Sequence, residues 1–309
     1  MKKVIITGPT GAIGHALIDE CIKNNIEVYA ICRPHSHRMN SIVKNNLVHI
    51  VEIDLSELSN AATLLPHDCD VFYHFGWSGT FGADLRNDMY LQNKNIQYAL
   101  DAVELAHICG CHIFIGAGSQ AEYGRFEGRL CPDTPAFPEN GYGMAKLCAG
   151  EMTRVQAHKH DIKHIWTRVL SVYGPYDGAK TMVMSTVAKL LNGEKPSFTK
   201  GEQKWDYLYS KDAGAIMFAL SSDKSVDGKI YCLGTGIAHP LKEYIETIKD
   251  EINPNLPLGL GDIPYSPKQV MCLCADTTAL EQDLGYHCKY SFVQGIAETI
   301  EWYKKQVRK

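Results

Sequence analysis

A short apolar run, Lys2-Lys3-Val4-Ile5-Ile6-Thr7, leads directly into Gly8-Pro9-Thr10-Gly11-Ala12-Ile13-Gly14, and no other feature restricts the fold of this chain as much. Consecutive β-branched residues without polar alternation read as a buried parallel strand. After the glycines, Ile13, Leu17 and Cys21, with Ile18 and Ile22 beside them, form the apolar stripe of a helix. Gly8 permits the tight turn, Gly11 lets the backbone approach a pyrophosphate, and Gly14 lets the helix lie close to the sheet. Free amides at the helix N-terminus then favour an anion. The junction predicts a dinucleotide site.

Strand and helix signals alternate beyond it. Residues 27–32, 47–53, 71–75, 112–116 and 165–170 read as strands, and 89–109 as a helix. This rhythm predicts an α/β fold, a doubly wound parallel sheet with right-handed crossovers and its ligand beyond the carboxyl ends of the strands. Ser119 lies at one such end. A loop with Pro132, Pro135 and Pro138 leads to Asn140-Gly141, a start signal for the next helix. Past Tyr173 the elements shorten between Pro196, Pro254, Pro257, Pro264 and Pro267. The expected division is a dinucleotide-binding domain over 1–173 and a smaller substrate lobe over 174–309, with about 206–235 returning to the first domain.

The formal charge of -4 over 309 residues gives no reason to expect nucleic acid or an anionic membrane as partner. No apolar stretch reaches the roughly 18 residues that span a bilayer, and the first strand starts at once, so the expected location is the cytoplasm. Eleven cysteines, an odd number, suggest reduced thiols. The pairs Cys109/Cys111 and Cys272/Cys274 lack matching ligands nearby, and no metal site is expected.

Tyr142-Gly-Met-Ala-Lys146 places a phenol and an ammonium on one helical face. A phenol titrates near 10, and acid/base work at neutral pH requires its anion to be stabilised by roughly 4 kcal/mol. A cation about 4 Å away at an effective dielectric near 20 supplies roughly that amount.

Together, Thr7-Gly8-x-x-Gly11-x-x-Gly14, Ser119 ahead of Tyr123-Gly124, Tyr142-x-x-x-Lys146 and Arg168-x-x-x-x-Tyr173-Gly174-Pro175 resemble the extended short-chain dehydrogenase/reductases. The nearest group is the NAD(P)-dependent nucleotide-sugar epimerases, dehydratases and reductases. Trp205-Asp206-Tyr207-Leu208-Tyr209-Ser210-Lys211-Asp212 and Leu284-Gly285-Tyr286 extend the likeness over essentially the whole chain. The resemblance implies a Rossmann-type sheet and a Ser119, Tyr142, Lys146 catalytic site beside a nicotinamide. Tyr142 would exchange a proton with the sugar oxygen, Ser119 would hydrogen-bond that oxygen, and Lys146 would lower the tyrosine pKa and hold the ribose. The implied cofactor site comprises Gly8, Thr10, Gly11, Ala12, Ile13, Gly14, Arg33, Asp54, Leu55, Phe75, Gly76, Asn95, Tyr142, Lys146 and Tyr173. Asn95 either supports the lysine or is an exposed helical residue. Asp54 either contacts adenine or caps a helix. Trp77, Ser119, Gln120, Glu122 and Trp205 are the candidate substrate residues, Trp77 being equally well a packing residue. Two long helices, 89–109 and 142–160, would pair into a homodimer.

Three departures narrow the function. Where NAD-using members commonly have an acidic residue, this chain has Cys32 followed by Arg33, which favours NADP over NAD through a 2′-phosphate. Where dehydratases carry an Asp-Glu pair it has Gln120-Ala121, neither able to do acid/base work, so dehydration is not expected. Trp205 replaces the family's arginine, leaving Lys200, Lys204 or Lys268 to hold a diphosphate. The expected activity is NADPH-dependent reduction of a nucleotide-linked 4-keto-6-deoxyhexose. The alternatives are an NAD-dependent UDP-hexose 4-epimerase, a related reaction on a non-sugar carbonyl, and a nucleotide sensor without turnover.

Overall fold

Val4, Ile5, Ile6 and Thr7 are all fully buried, which explains why β1 (Lys3–Thr7) carries no polar alternation. Val4 and Ile6 face an apolar layer shared with Leu17 and Ile18 of α1 (Ala12–Lys23). Ile5 faces the opposite layer with Phe72, Val103 and Phe114. A computed structural model, which describes residues 1–222 and 224–307, continues this two-sided burial through a seven-stranded sheet. The other strands are β2 (Glu27–Cys32), β3 (Val48–Glu52), β4 (Val71–His74), β5 (Ile113–Ser119), Lys163–Val169 and Ile230–Leu233.

From one edge the order is Ile230–Leu233, Lys163–Val169, β5, β4, β1, β2, β3, and every pairing is parallel. The chain builds outward from β1 in one direction through β2 and β3, then returns to β1's other side with β4. That reversal opens a crevice at the carboxyl ends of β1 and β4. The fold is the expected Rossmann-type α/β arrangement. Strand bounds move by a few residues: β5 runs on to Ser119, while Phe75 and Leu170 fall just beyond their strands.

Asp88 caps α3 (Met89–Ile108) by accepting from the N–H groups of Tyr90 and Leu91, and Asn140 caps α4 (Gly141–Lys159) by accepting from Gly143. A single turn, α2 (Ala83–Arg86), precedes α3. The helices α3 and α4 lie side by side. Past α5 (Met182–Leu191), α6 (Ser210–Leu220) comes back against α1, and Ile230–Leu233 completes the sheet.

The remainder of the C-terminal half has its own core, in which α5, α7 (Leu241–Ile252) and the helix Phe292–Val307 enclose Tyr173, Val187, Tyr209, Ile248 and Ile296. Asp206, fully buried, joins the two parts by accepting from the amides of Thr235, Gly236 and Ala275 and from the Thr235 hydroxyl. Among the described residues no helix is long and apolar enough to cross a membrane.

Trp166 governs how closely β5 and α4 approach each other. It pairs with Gly116 in the sheet, and a Cβ on Gly116 would fall 2.2 Å from its ring, one on Gly118 2.3 Å, and one on Gly150 of α4 2.8 Å. The three glycines make room for one indole. Gly116→Ala should therefore destabilise the protein by about 1–3 kcal/mol through overpacking, read as a lower urea midpoint. The same alanine should cost less in a Trp166→Phe background.

Candidate active site

The glycine turn adopts a geometry that only its residues allow. Gly8 has φ +69°, and a Cβ there would lie 2.8 Å from the Gly76 amide nitrogen; a Cβ on Gly14 would lie 2.7 Å from the Gly8 carbonyl. Gly11 differs, because the nearest atom to its would-be Cβ is 3.7 Å away. The space outside Gly11 is therefore open. Gly11 is also the N-cap of α1 and supplies no side-chain acceptor, so the first-turn amides at Ala12 and Ile13 are directed towards that space. An open cradle with backbone donors fits a dinucleotide pyrophosphate.

The crevice continues past Thr10, Asp54, Leu55 and Gly76. Thr7 fixes its floor: its hydroxyl accepts the Gly76 N–H at 3.1 Å and pairs with His74 Nδ1 at 3.0 Å. Asp54 caps the turn that follows it, its Oδ1 accepting from the Ser56 amide and hydroxyl, and it lines the crevice. Phe75 packs into the apolar layer of α1. At the far end Arg33 is exposed beside the buried Cys32. Ser36 and Arg38, which the sequence analysis did not single out, line the same recess. Arg38 Nη2 donates to the Thr10 carbonyl at 2.6 Å and to the Tyr176 carbonyl at 2.9 Å. A second arginine five residues after Arg33 was the signal available for it.

At the other end of the crevice Ser119, Tyr142 and Lys146 come together. Ser119 Oγ accepts the Ala121 N–H at 3.2 Å, which leaves its own proton for donation, and its hydroxyl reaches the Tyr142 phenol. Lys146 is buried, its Nζ 2.6 Å from the Ala117 carbonyl and 3.6 Å from the centre of the Trp77 ring. It stands 5.9 Å from the centre of the Tyr142 ring. Arg86 of α2 is closer, with Cζ 4.5 Å over that ring.

These distances correct the expected electrostatics. Burial pushes the Tyr142 phenol above its usual value of 10, and what opposes this is the Ser119 hydrogen bond and the Arg86 charge. Lys146 is itself pushed down to about 7 by burial.

Four other expectations change. Glu122, a candidate substrate residue, is fully buried behind Ser119. Its Oε1 accepts from the Ser119 amide at 2.8 Å and Trp166 Nε1 at 3.1 Å, and its Oε2 from Arg168 Nε at 2.7 Å, so the carboxylate is turned into the protein and has no surface to offer a sugar. Tyr173, placed in the cofactor set, turns the other way: its hydroxyl donates to the Phe292 carbonyl within the second core. Asn95 is not exposed. It is buried, and its amide accepts from Ser78 N and donates to the Ser78 and Leu91 carbonyls, pinning the turn that carries Trp77. Trp205 donates to Ser171 Oγ at 2.7 Å and packs among buried apolar residues. Trp77 packs near Ala99 and Ala149 while lying beneath the ammonium of Lys146 and edge-on to Tyr142. Gln120 is half-buried in the turn after Ser119.

A family model described as the NAD dependent epimerase/dehydratase family matches residues 4–234. The chain is 23% identical to a dTDP-glucose 4,6-dehydratase of Xanthomonas campestris pv. campestris, over 98% of this chain and 93% of that one. Its fold superposes on a UDP-N-acetylglucosamine 4-epimerase of Methanobrevibacter ruminantium, in complex with UDP-N-acetylmuramic acid, with a TM-score of 0.87 at 20% identity, covering 99% of both chains. A dTDP-glucose 4,6-dehydratase of Streptomyces venezuelae with NAD bound superposes with a TM-score of 0.84 at 18% identity, over 98% of this chain and 97% of that one.

The lysine gives a prediction that needs no substrate. Its folded value of about 7 lies below the 10.5 of an unperturbed lysine, so between those values the unfolded chain binds more protons than the folded one. Stability due to this group therefore rises with pH across that window. Wild type measured against Lys146→Met by chemical denaturation should gain stability from about pH 7 towards pH 10; a pH-independent difference would mean the ammonium stays hydrated.

Proposed function

The chain belongs to the NAD dependent epimerase/dehydratase family, and on that premise we propose that it reduces a nucleotide-linked 4-keto-6-deoxyhexose with NADPH. The observation that carries this reading is the recess beside Cys32, where Arg33, Ser36 and Arg38 converge and β2 ends without a carboxylate. A cysteine offers the adenosine ribose hydroxyls no charged acceptor. Two guanidinium groups and a hydroxyl suit a 2′-phosphate. Preference for the phosphorylated cofactor in turn favours reductive chemistry, and we place that activity in the cytoplasm.

The reduced nicotinamide, when bound, supplies a hydride to the keto carbon. Tyr142 gives its phenolic proton to the keto oxygen, so that the carbonyl becomes a secondary alcohol, and the phenolate left behind recovers a proton from solvent. Ser119 holds the same oxygen through its free hydroxyl proton. Lys146 and Trp77 would orient the cofactor's nicotinamide end, and the Gly11 cradle would hold its pyrophosphate. Gln120 and Ala121 follow Ser119 without any acid or base, so this reading includes no elimination of water even though dehydratases are among the chain's relatives.

A second reading is an NAD-dependent UDP-hexose 4-epimerase. It is favoured by the full-length likeness to an archaeal UDP-sugar 4-epimerase and by the NAD carried in a structural neighbour. For either activity we propose a homodimer through α3 and α4, which leave Tyr90, Met144, Met152 and Val155 exposed. Light scattering reads this directly.

Incubation with NADPH and a panel of UDP-, dTDP-, CDP- and GDP-linked 4-keto sugars, followed at the reduced-nicotinamide absorbance, should show stoichiometric consumption with one nucleotide class. Interconversion of UDP-hexoses without added cofactor would instead establish the epimerase. Tyr142→Phe should cut kcat by orders of magnitude with little change in cofactor affinity. Arg33→Ala should weaken NADPH about tenfold or more while sparing NADH, the loss of one charge-assisted contact; equal losses for both cofactors would defeat the phosphate assignment.

A further inference from the structure

Tyr142 is approached by charged and hydrogen-bonding groups from three directions. Lys146 lies one turn along its own helix, Ser119 ends β5 with the buried Glu122 just after it, and Arg86 comes from α2. Glu122 acts against the phenolate and is itself paired with Arg168. Lys146 is bound to the Ala117 carbonyl and to the Trp77 face. Arg86 sets a permanently charged group over the phenol ring, with Cζ 4.5 Å from its centre, closer than the Lys146 ammonium at 5.9 Å.

The segment around Arg86 is anchored to the start of the helix that bears Tyr142. Asn87 Oδ1 accepts the Gly141 N–H at 3.4 Å, and the Arg86 carbonyl comes so close that a Cβ on Gly141 would lie 3.0 Å from it. Gln92 Nε2 donates to the Leu85 carbonyl at 2.9 Å and to the Gly79 carbonyl at 3.1 Å, while its Oε1 accepts from Trp77 Nε1 at 2.9 Å. One glutamine therefore ties the Arg86 turn to the tryptophan beneath Lys146. The turn has a built position.

We propose that Arg86 is a positioning residue for the site's acid/base, presenting its guanidinium to the face of Tyr142 and so favouring the phenolate over the phenol. The role rests on Tyr142 being the proton carrier of the proposed reaction. A guanidinium above the ring interacts more strongly with an anionic phenolate than with a neutral phenol, and the site is only partly open to water, so its charge is incompletely screened.

The experiment is a titration without substrate. Protein labelled with carbon-13 at the tyrosine Cζ would be followed by NMR against pH, the Tyr142 resonance being the one missing from Tyr142→Phe. In Arg86→Met the phenolate population of Tyr142 at a given pH should fall about tenfold, a rise of roughly one unit in its midpoint. Arg86→Lys should recover most of the shift. An unmoved midpoint in Arg86→Met would overturn the proposal, as would a raised KM for the nucleotide sugar with the titration unchanged, which would make Arg86 a substrate anchor. Since neither label nor titration requires turnover, failure of the reductase reading and failure of this one give different results.

Discussion

Everything at the catalytic end of the sheet is referred to one buried carboxylate. Glu122 has no exposure, yet its two oxygens gather the amide of Ser119, the indole of Trp166 and the guanidinium of Arg168. Charges so placed are tolerated only with full pairing, and removing one partner of such a pair costs about 3–5 kcal/mol. Ser119 forms a capping box with Glu122, so the serine's backbone is set by the same carboxylate that neutralises Arg168. The position of the Ser119 hydroxyl is thus fixed by a network buried beneath it.

What could be read from the sequence was what local chemistry decides. The glycines at 8, 11 and 14, the uninterrupted apolar strands and the Asn140 cap are each signals confined to a few neighbouring residues, and the structure places them accordingly. Residues whose role depends on distant partners were not legible. Glu122 reads as a polar residue in an extended segment until Arg168, 46 positions away, draws it inward. Tyr173 belongs to a motif of the family, but its ring is claimed by Phe292 and Tyr209 of the other lobe. Arg86 lies in a turn with no pattern of its own. Asp212, the last residue of a segment that resembles the family, is a buried acceptor for Tyr286, Lys289 and Tyr290.

The tyrosine and lysine show where a sequence-level estimate of charge breaks down. Four-residue spacing does put both on one face, but that argument assumed a cation in a medium that screens moderately and left out the cost of burying both groups. Desolvation acts on each of them against its charged form, raising the phenol and lowering the amine. It wins in this structure, and the site is left needing a second source of positive charge. A turn inserted between β4 and α3 is where the fold provides one.

The indole at position 166 also has a consequence for how the chain can vary. It lies between Gly116 of the sheet and Gly150 of α4, so one flat ring acts as a spacer between the strand ending in Ser119 and the helix bearing Tyr142. The separation of the Ser119 and Tyr142 hydroxyls is therefore calibrated by the thickness of a buried aromatic residue. Sequence drift at that depth would misalign the chemistry without touching any group that performs it, and tolerated changes there should arrive as matched sets of ring and glycine.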